Sequence, residues 1–233
     1  MNKYDVTKKI EKFAPPELAE DWDCSGWGIE TGKTEVNKIM LCLTVTDDIV
    51  KQAEELNCDM IISHHPLFYV PVSWKKFDIY SAHTNLDRAD GGTTDTLVSE
   101  LGLRINEKDD FLRYADVYTN IEDFCKKLSE ISPNLRYVNN KNIRSLKKVA
   151  FCAGSGSEFI NEAYENGADA LVTGDIKFHT ALESPIVLFD IGHFESEILV
   201  MKVFEKLLSG LDGLEIVRAL EKSPFNHFRE NNY

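Results

Sequence analysis

Apolar positions along the chain fall into short unbroken runs separated by stretches with helical spacing. Residues 38–46 (KIMLCLTVT) and 59–62 (DMII) are two such runs, and continuous apolar sequence of this length predicts strands covered on both faces in a parallel sheet. Between them, residues 47–56 read as a helix that Asp47 and Asp48 can cap, giving a strand-helix-strand unit with a right-handed crossover. Upstream, Val6, Ile10 and Phe13 take the spacing of a short amphipathic helix, which Pro15-Pro16 ends. Residues 78–82 form a further strand, and Gly91-Gly92 precede a helix that runs to about Leu101 and stops at Gly102.

Residues 106–142 are more charged and less patterned, with one helix expected over 121–131. A second strand-helix series then follows, with strands at 148–153, 170–173, 185–191 and 214–217 and helices at 158–166 and 198–208. The expected class is α/β, with two α/β domains built from parallel-rich sheets flanked by helices. Residues 1–110 with 190–233 make a discontinuous metal-binding domain, and 111–189 a second, smaller one.

The 233 residues carry 39 acidic and 26 basic side chains, a formal charge of −13. That balance works against nonspecific nucleic-acid binding, although a bound metal can reverse the local potential for an anionic substrate. No apolar run reaches the length of a membrane span, so a cytoplasmic protein is expected. The five cysteines are odd in number and never spaced as CxxC, which supports neither a disulfide framework nor a thiolate zinc site.

The chemistry gathers where apolar runs stop. Residues 59–62 run into Ser63-His64-His65-Pro66, and adjacent side chains in a regular strand face opposite ways. The two imidazoles can converge only if the strand has ended, which Pro66 favours. They then stand at the carboxyl edge where open α/β sheets bind ligands, unless they are plain loop histidines. The next strand runs into His83-Thr84-Asn85-Leu86-Asp87, and residues 185–191 into Gly192-His193-Phe194-Glu195-Ser196-Glu197. His193 and Glu197 are four apart and share one helical face, while Glu195 points elsewhere.

Other features read as structure or stay open. Asp21-Trp22-Asp23-Cys24-Ser25-Gly26-Trp27-Gly28 is expected to be a loop pinned by buried indoles, and Gly154-Ser155-Gly156-Ser157 a tight turn in preference to an anion cradle. His179 is either a polar group at the same sheet edge or a helix-cap partner, and His227 has no assigned role. Ser63 lacks a GxSxG elbow.

His64, His65, Asp87, His193 and Glu197 together make a mixed nitrogen and oxygen set suited to Zn²⁺, Fe²⁺, Mn²⁺ or Co²⁺. Five protein donors exceed the needs of one catalytic zinc and suit two divalent ions sharing a carboxylate. Such a pair stays net positive against two carboxylates and a hydroxide.

The residues Ala14-Pro15-Pro16, Asp21-Trp22-Asp23, Ile62-Ser63-His64-His65-Pro66-Leu67, Ala82-His83-Thr84-Asn85-Leu86-Asp87, Thr173-Gly174-Asp175-Ile176-Lys177-Phe178-His179 and Gly192-His193-Phe194-Glu195-Ser196-Glu197 occur together, in that order. On them the chain resembles the dinuclear-metal proteins called GTP cyclohydrolase type 2 homologues, the Ngg-interacting-factor-three-like family. The resemblance implies two α/β domains, a ring-shaped homohexamer, and a metal pair held by His64, His65, Asp87, His193 and Glu197. It also implies hydrolytic opening of the guanine imidazole ring of GTP at C8 by metal hydroxide, with His83 or His179 as proton carrier. The alternative is a non-catalytic metal-binding or adaptor protein. Two residues depart from the family pattern: Cys24 stands where asparagine is usual, and Thr44 where aspartate is common.

Overall fold

The computed structural model describes residues 1–226, so His227 lies outside the described residues. The strands are β1 (Gly26–Ile29), β2 (Lys38–Cys42), β3 (Met60–Ser63), β4 (Asp78–Ser81), β5 (Glu107–Asp109), β6 (Leu112–Asn120), β7 (Arg136–Val138), β8 (Ser145–Phe151), β9 (Ala170–Thr173), β10 (Val187–Asp190) and β11 (Glu215–Arg218). The α-helices are α1 (Lys3–Phe13), α2 (Asp47–Glu55), α3 (Thr84–Arg88), α4 (Thr93–Glu100), α5 (Ile121–Ser129), α6 (Ile160–Glu165), α7 (Phe178–Glu183), α8 (His193–Glu197) and α9 (Met201–Leu208). The fold is mixed α/β, with two sheets flanked by helices. It divides into two compact units, one of Met1–Thr96 with Leu199–Glu221 and one of Leu97–Ile198 with the residues from Lys222.

The first unit holds the sheet β1-β4-β3-β2-β11. Strands β11, β2, β3 and β4 run parallel, and β1 closes the edge antiparallel to β4. The apolar runs are strands because both faces are covered: Ile39, Met40, Leu41, Ile61, Ile62 and Ile79 are all fully buried. Each such side chain contributes about 1.5–3 kcal/mol relative to exposure. Helix α2 follows β2 as expected, but its cap is Thr46, whose hydroxyl accepts from Ile49 N at 3.3 Å. Asp47 and Asp48 sit in the first turn, where they complement the helix dipole.

Beneath this sheet lies a buried ion pair. Lys3, fully buried, donates from Nζ to Asp78 Oδ1 at 3.0 Å and to Thr31 O at 2.8 Å. Asp78 also accepts from Thr31 N and Oγ1, so a charge pair at the start of β4 is fully hydrogen-bonded.

The second unit holds the sheet β5-β6-β8-β9-β10-β7. Its centre, β8-β9-β10, is parallel, and the remaining pairs are antiparallel. Ala150, Leu171 and Leu188 form its core, under helix α6. Strands β5, β6 and β7 occupy a region whose sequence pattern suggests one helix and no strands. The reason is exposure: β5 is solvent-exposed along its length, and β6 breaks its register between Asp116 and Thr119 with Tyr118 at φ +43°.

Candidate metal centre

Within the first unit, β3 ends at Ser63, and His64 and His65 form a bend before Pro66. The expected convergence occurs, with ring centroids 5.1 Å apart and planes tilted by 41°. His83, directly after β4, joins them, and ring nitrogens of His64, His65 and His83 lie within 4.8 Å of one another. Asp87, on the short helix α3, brings Oδ1 to 3.4 Å from His64 Nε2.

Each of the three rings has its Nδ1 engaged. His64 Nδ1 lies 2.9 Å from Ala82 O, His65 Nδ1 2.6 Å from Thr44 Oγ1, and His83 Nδ1 2.9 Å from Asp23 Oδ1. A carbonyl or carboxylate oxygen only accepts, so Nδ1 of His64 and His83 carries the proton. In the neutral rings Nε2 is then the lone-pair donor, the arrangement that metal-ligating histidines favour. Thr44 is itself fixed through its backbone, because Leu43 N and Thr44 N both donate to the carboxylate of Glu221.

Asp23 is the anchor of this side of the site. Its Oδ2 accepts from Ser25 Oγ at 2.6 Å, Thr84 Oγ1 at 2.6 Å and Thr84 N at 3.1 Å, while Oδ1 accepts from Cys24 N and faces His83. Burial works to raise its pKa, but the hydrogen bonds from Ser25, Thr84 and His83 outweigh that and hold it well below the usual carboxylate range. The loop was expected to be pinned by buried indoles. Trp27 does pack edge-to-face against Tyr4 and Tyr80, whereas Trp22 is 65% exposed and the anchor at that end is the carboxylate beside it.

Within the second unit, α8 begins at His193 and places Glu197 one turn on, as the spacing implied. His193 Nε2 lies 2.9 Å from Glu197 Oε2, and His193 Nδ1 lies 2.7 Å from Asp175 Oδ2. Burial lowers the His193 pKa, but hydrogen bonding and charge from Glu197, and then from Asp175, raise it to about 9. His193 Nε2 and the buried Glu197 carboxylate thus face each other, a nitrogen and oxygen pair of the kind that can hold a cation.

The backbone here is shaped around these two side chains. Gly154 has φ +70°, and a Cβ on it would lie 2.1 Å from Glu197 Oε1. One on Gly174 would lie 2.7 Å from His193 N. Asp190, at the end of β10, accepts from Gly192 N and Ile176 N and pairs with Arg136, tying the Asp175 loop to the start of α8. The Gly154-Ser155-Gly156-Ser157 turn is structural, because Gly154 N donates to Ser196 Oγ and Gly156 N to Thr173 Oγ1. His179 is exposed on α7, with its ring edge-to-face against Phe178 at 5.3 Å.

The donors in both units are imidazole nitrogens and carboxylate oxygens with their outer partners in place, a set that fits a borderline-soft divalent ion. All five cysteines are free, and none belongs to these clusters. Among the described residues no helix is long and apolar enough to cross a membrane. Asp23, Thr44, Asp175 and Gly154 were not singled out from sequence as parts of the site. Asp23 alone had a usable signal, as a carboxylate in a turn-rich segment.

Known proteins resemble this chain over nearly its whole length. Residues 1–224 match the family described as Duf34/NIF3 (NGG1p interacting factor 3). The chain is 32% identical over 257 residues to a Clostridium perfringens protein named GTP cyclohydrolase 1 type 2 homolog, covering 95% of this chain and 97% of the relative. It is 30% identical over 239 residues to a protein of the same name from Campylobacter jejuni, covering 94% and 96%. Among solved structures it is similar to reduced HcgD from Methanocaldococcus jannaschii, with a TM-score of 0.82 and 27% identity over 94% of this chain and 97% of that one. A hypothetical Staphylococcus aureus protein, SA1388, matches with a TM-score of 0.86 at 22% identity over 98% and 99%, which shows the fold alone.

Proposed function

The chain belongs to the Duf34/NIF3 family, and on that premise we propose that it is a metal-dependent hydrolase with a dinuclear site, acting on a nucleotide or related small molecule. The observation that carries this reading is the meeting of three imidazoles with their Nδ1 atoms held by a carbonyl, a hydroxyl and a carboxylate. Donor sets whose rings are held by such partners are what metal catalysis requires. His64, His65, Asp87, His193 and Glu197 would hold two divalent ions of Zn, Fe, Mn or Co. When bound, the pair would supply Lewis-acid activation of water and of the bond under attack.

The chain's own residues have separate tasks in this reading. Asp23 holds the His83 ring in one tautomer, so that Nε2 can take up and return a proton, and His179 is the alternative carrier. The names of the relatives point to GTP, and the family resemblance to hydrolytic opening of the guanine ring at C8 as the reaction. A cytoplasmic homohexamer completes the proposal and rests on the family resemblance.

Metal analysis of the purified protein, followed by a panel of nucleotides with Mn²⁺, Fe²⁺ and Zn²⁺, tests it. About two ions per chain and turnover of one nucleotide are expected, both lost in Glu197→Ala and His65→Ala while the far-UV spectrum is kept. A fully loaded protein that turns over no nucleotide refutes it and favours a non-catalytic metal-binding adaptor. One observation supports that second reading: the loop after His65 exposes Phe68, Tyr69 and Val72, an apolar patch of the kind that marks partner contact.

A further inference from the structure

An indole is mostly buried in folded proteins, yet Trp22 leaves about two thirds of its surface open, next to the imidazole cluster. Its ring meets His83 edge-to-face, with centroids 6.3 Å apart and an interplanar angle of 76°. A perpendicular contact of this kind engages at most one face of the indole, and the exposure leaves the other to solvent. His83 in turn lies 5.2 Å from the His64 ring and 5.6 Å from the His65 ring, so Trp22 borders the donor cluster with one ring between.

The backbone that carries the indole is fixed on both sides. Glu20 N donates to Thr84 Oγ1, Asp23 N donates to Glu20 O, and the Asp23 carboxylate binds Ser25, Thr84 and His83. An uncharged aromatic face open to water at the margin of a polar site is suited to stacking with a flat ring. A phosphate gains little from such a face, whereas every nucleobase has a π-surface that stacks on it.

We infer that the open face of Trp22 is a stacking platform for a planar heteroaromatic ring, the base of a nucleoside or nucleotide, whose edge it presents to His83 and the neighbouring imidazoles. This deepens the hydrolase reading and rests on it for the choice of ligand class. The platform selects for a ring over a bare sugar phosphate. It does not distinguish guanine from adenine, because stacking is tolerant of base identity.

The test is ligand-detected NMR titration of the full-length protein with guanosine and with ribose 5-phosphate, before and after metal is stripped with a chelator. Guanosine should bind in both states, Trp22→Phe should keep most of the affinity, and Trp22→Ala should lose about tenfold or more. Ribose 5-phosphate should be indifferent to Trp22→Ala. Guanosine affinity unchanged in Trp22→Ala, or no guanosine binding to the wild type, overturns the platform. A Trp22→Ala variant that changes sedimentation and leaves guanosine affinity intact also overturns it, by making Trp22 a contact between copies. The two readings separate cleanly: Trp22-dependent guanosine binding without turnover sinks the hydrolase and keeps the platform. Turnover with an unchanged KM in Trp22→Ala does the reverse.

Discussion

Replacing Gly154 by alanine tests whether the loops of the second unit are built around Glu197. Gly154 sits at φ +70°, where a residue with a Cβ is strained by roughly 1–2 kcal/mol. The new Cβ would also lie 2.1 Å from Glu197 Oε1, so something must move. What moves is the far end of a side chain, so the protein should fold while Glu197 swings away from His193. Gly167→Ala is the matched control, because Gly167 has φ +76° and nothing within 4 Å of an added Cβ. Above about pH 9 the two variants should therefore lose similar stability in urea, about 1–2 kcal/mol each, whereas at lower pH Gly154→Ala should lose more, because it also forfeits the Glu197 pairing that raises the His193 pKa. In Gly154→Ala, His193 loses the Glu197 carboxylate and keeps only Asp175, 2.7 Å from its Nδ1, so its pKa should fall from about 9 towards the ordinary imidazole value. The sign of the pH effect follows from this. A raised folded-state pKa adds stability that is complete below about pH 6.5 and disappears as pH climbs through about 9. That decline should be present in metal-free wild type and Gly167→Ala, and flattened in Gly154→Ala. Zinc affinity should drop roughly 10–100-fold in Gly154→Ala alone. Equal His193 titration and equal zinc affinity in the two variants would refute the reasoning.

Two further perturbations probe the first unit. Asp78→Leu leaves the Lys3 ammonium buried without its carboxylate and should destabilise by about 3–5 kcal/mol, whereas Lys3→Met combined with Asp78→Leu should recover most of the loss in chemical denaturation. If the double variant is no more stable than the single one, the cost is not that of an uncompensated charge. Asp23→Asn should keep the fold and the metal content, lower turnover roughly 100-fold by releasing the His83 ring that carries the proton, and change the acid limb of stability. A depressed carboxylate pKa contributes stability that is present above the unfolded value and lost as pH falls through the folded one. Wild type should therefore lose stability on acidification through this group, and Asp23→Asn should not. Parallel acid unfolding curves would contradict that.

The fold was legible where burial on both faces made the sequence monotonous. Residues 38–42 and 60–63 are strands because nothing polar interrupts them, and β9 and β10 read the same way. Legibility failed where the environment is mixed. Exposed β5 and β7 have no apolar signal, and β6 loses its alternation at a bulge. Helix α3 escaped notice because Thr84-Asn85-Leu86-Asp87-Arg88 has no amphipathic period. Its first backbone amide is instead satisfied by Asp23, 61 residues away. No local window contains that information.

The site shows the same division, and sheet register explains it. Strand ends could be found from apolar runs, which is how His64, His65 and His193 became candidates, and helical spacing added Glu197. The partners of those rings depend on which residue stands beside which in neighbouring strands. Cys42 pairs with Ser63, and Ser63 with Ser81, in parallel register. Two steps further along, that register aligns Thr44, His65 and His83 in one row just past the ends of β2, β3 and β4. The ladder does continue past the strand ends: His65 N donates to Leu43 O and Ala82 N to Ser63 O. The contact between Thr44 and His65 and the approach of His83 are thus consequences of one alignment. One step earlier in the same register, His64 falls beside Ala82, whose carbonyl fixes its tautomer. A shift of one residue between β3 and β4 would turn these side chains to opposite faces and take the cluster apart. The apolar core of the first unit, by holding that register, is therefore what sets the geometry of its imidazoles.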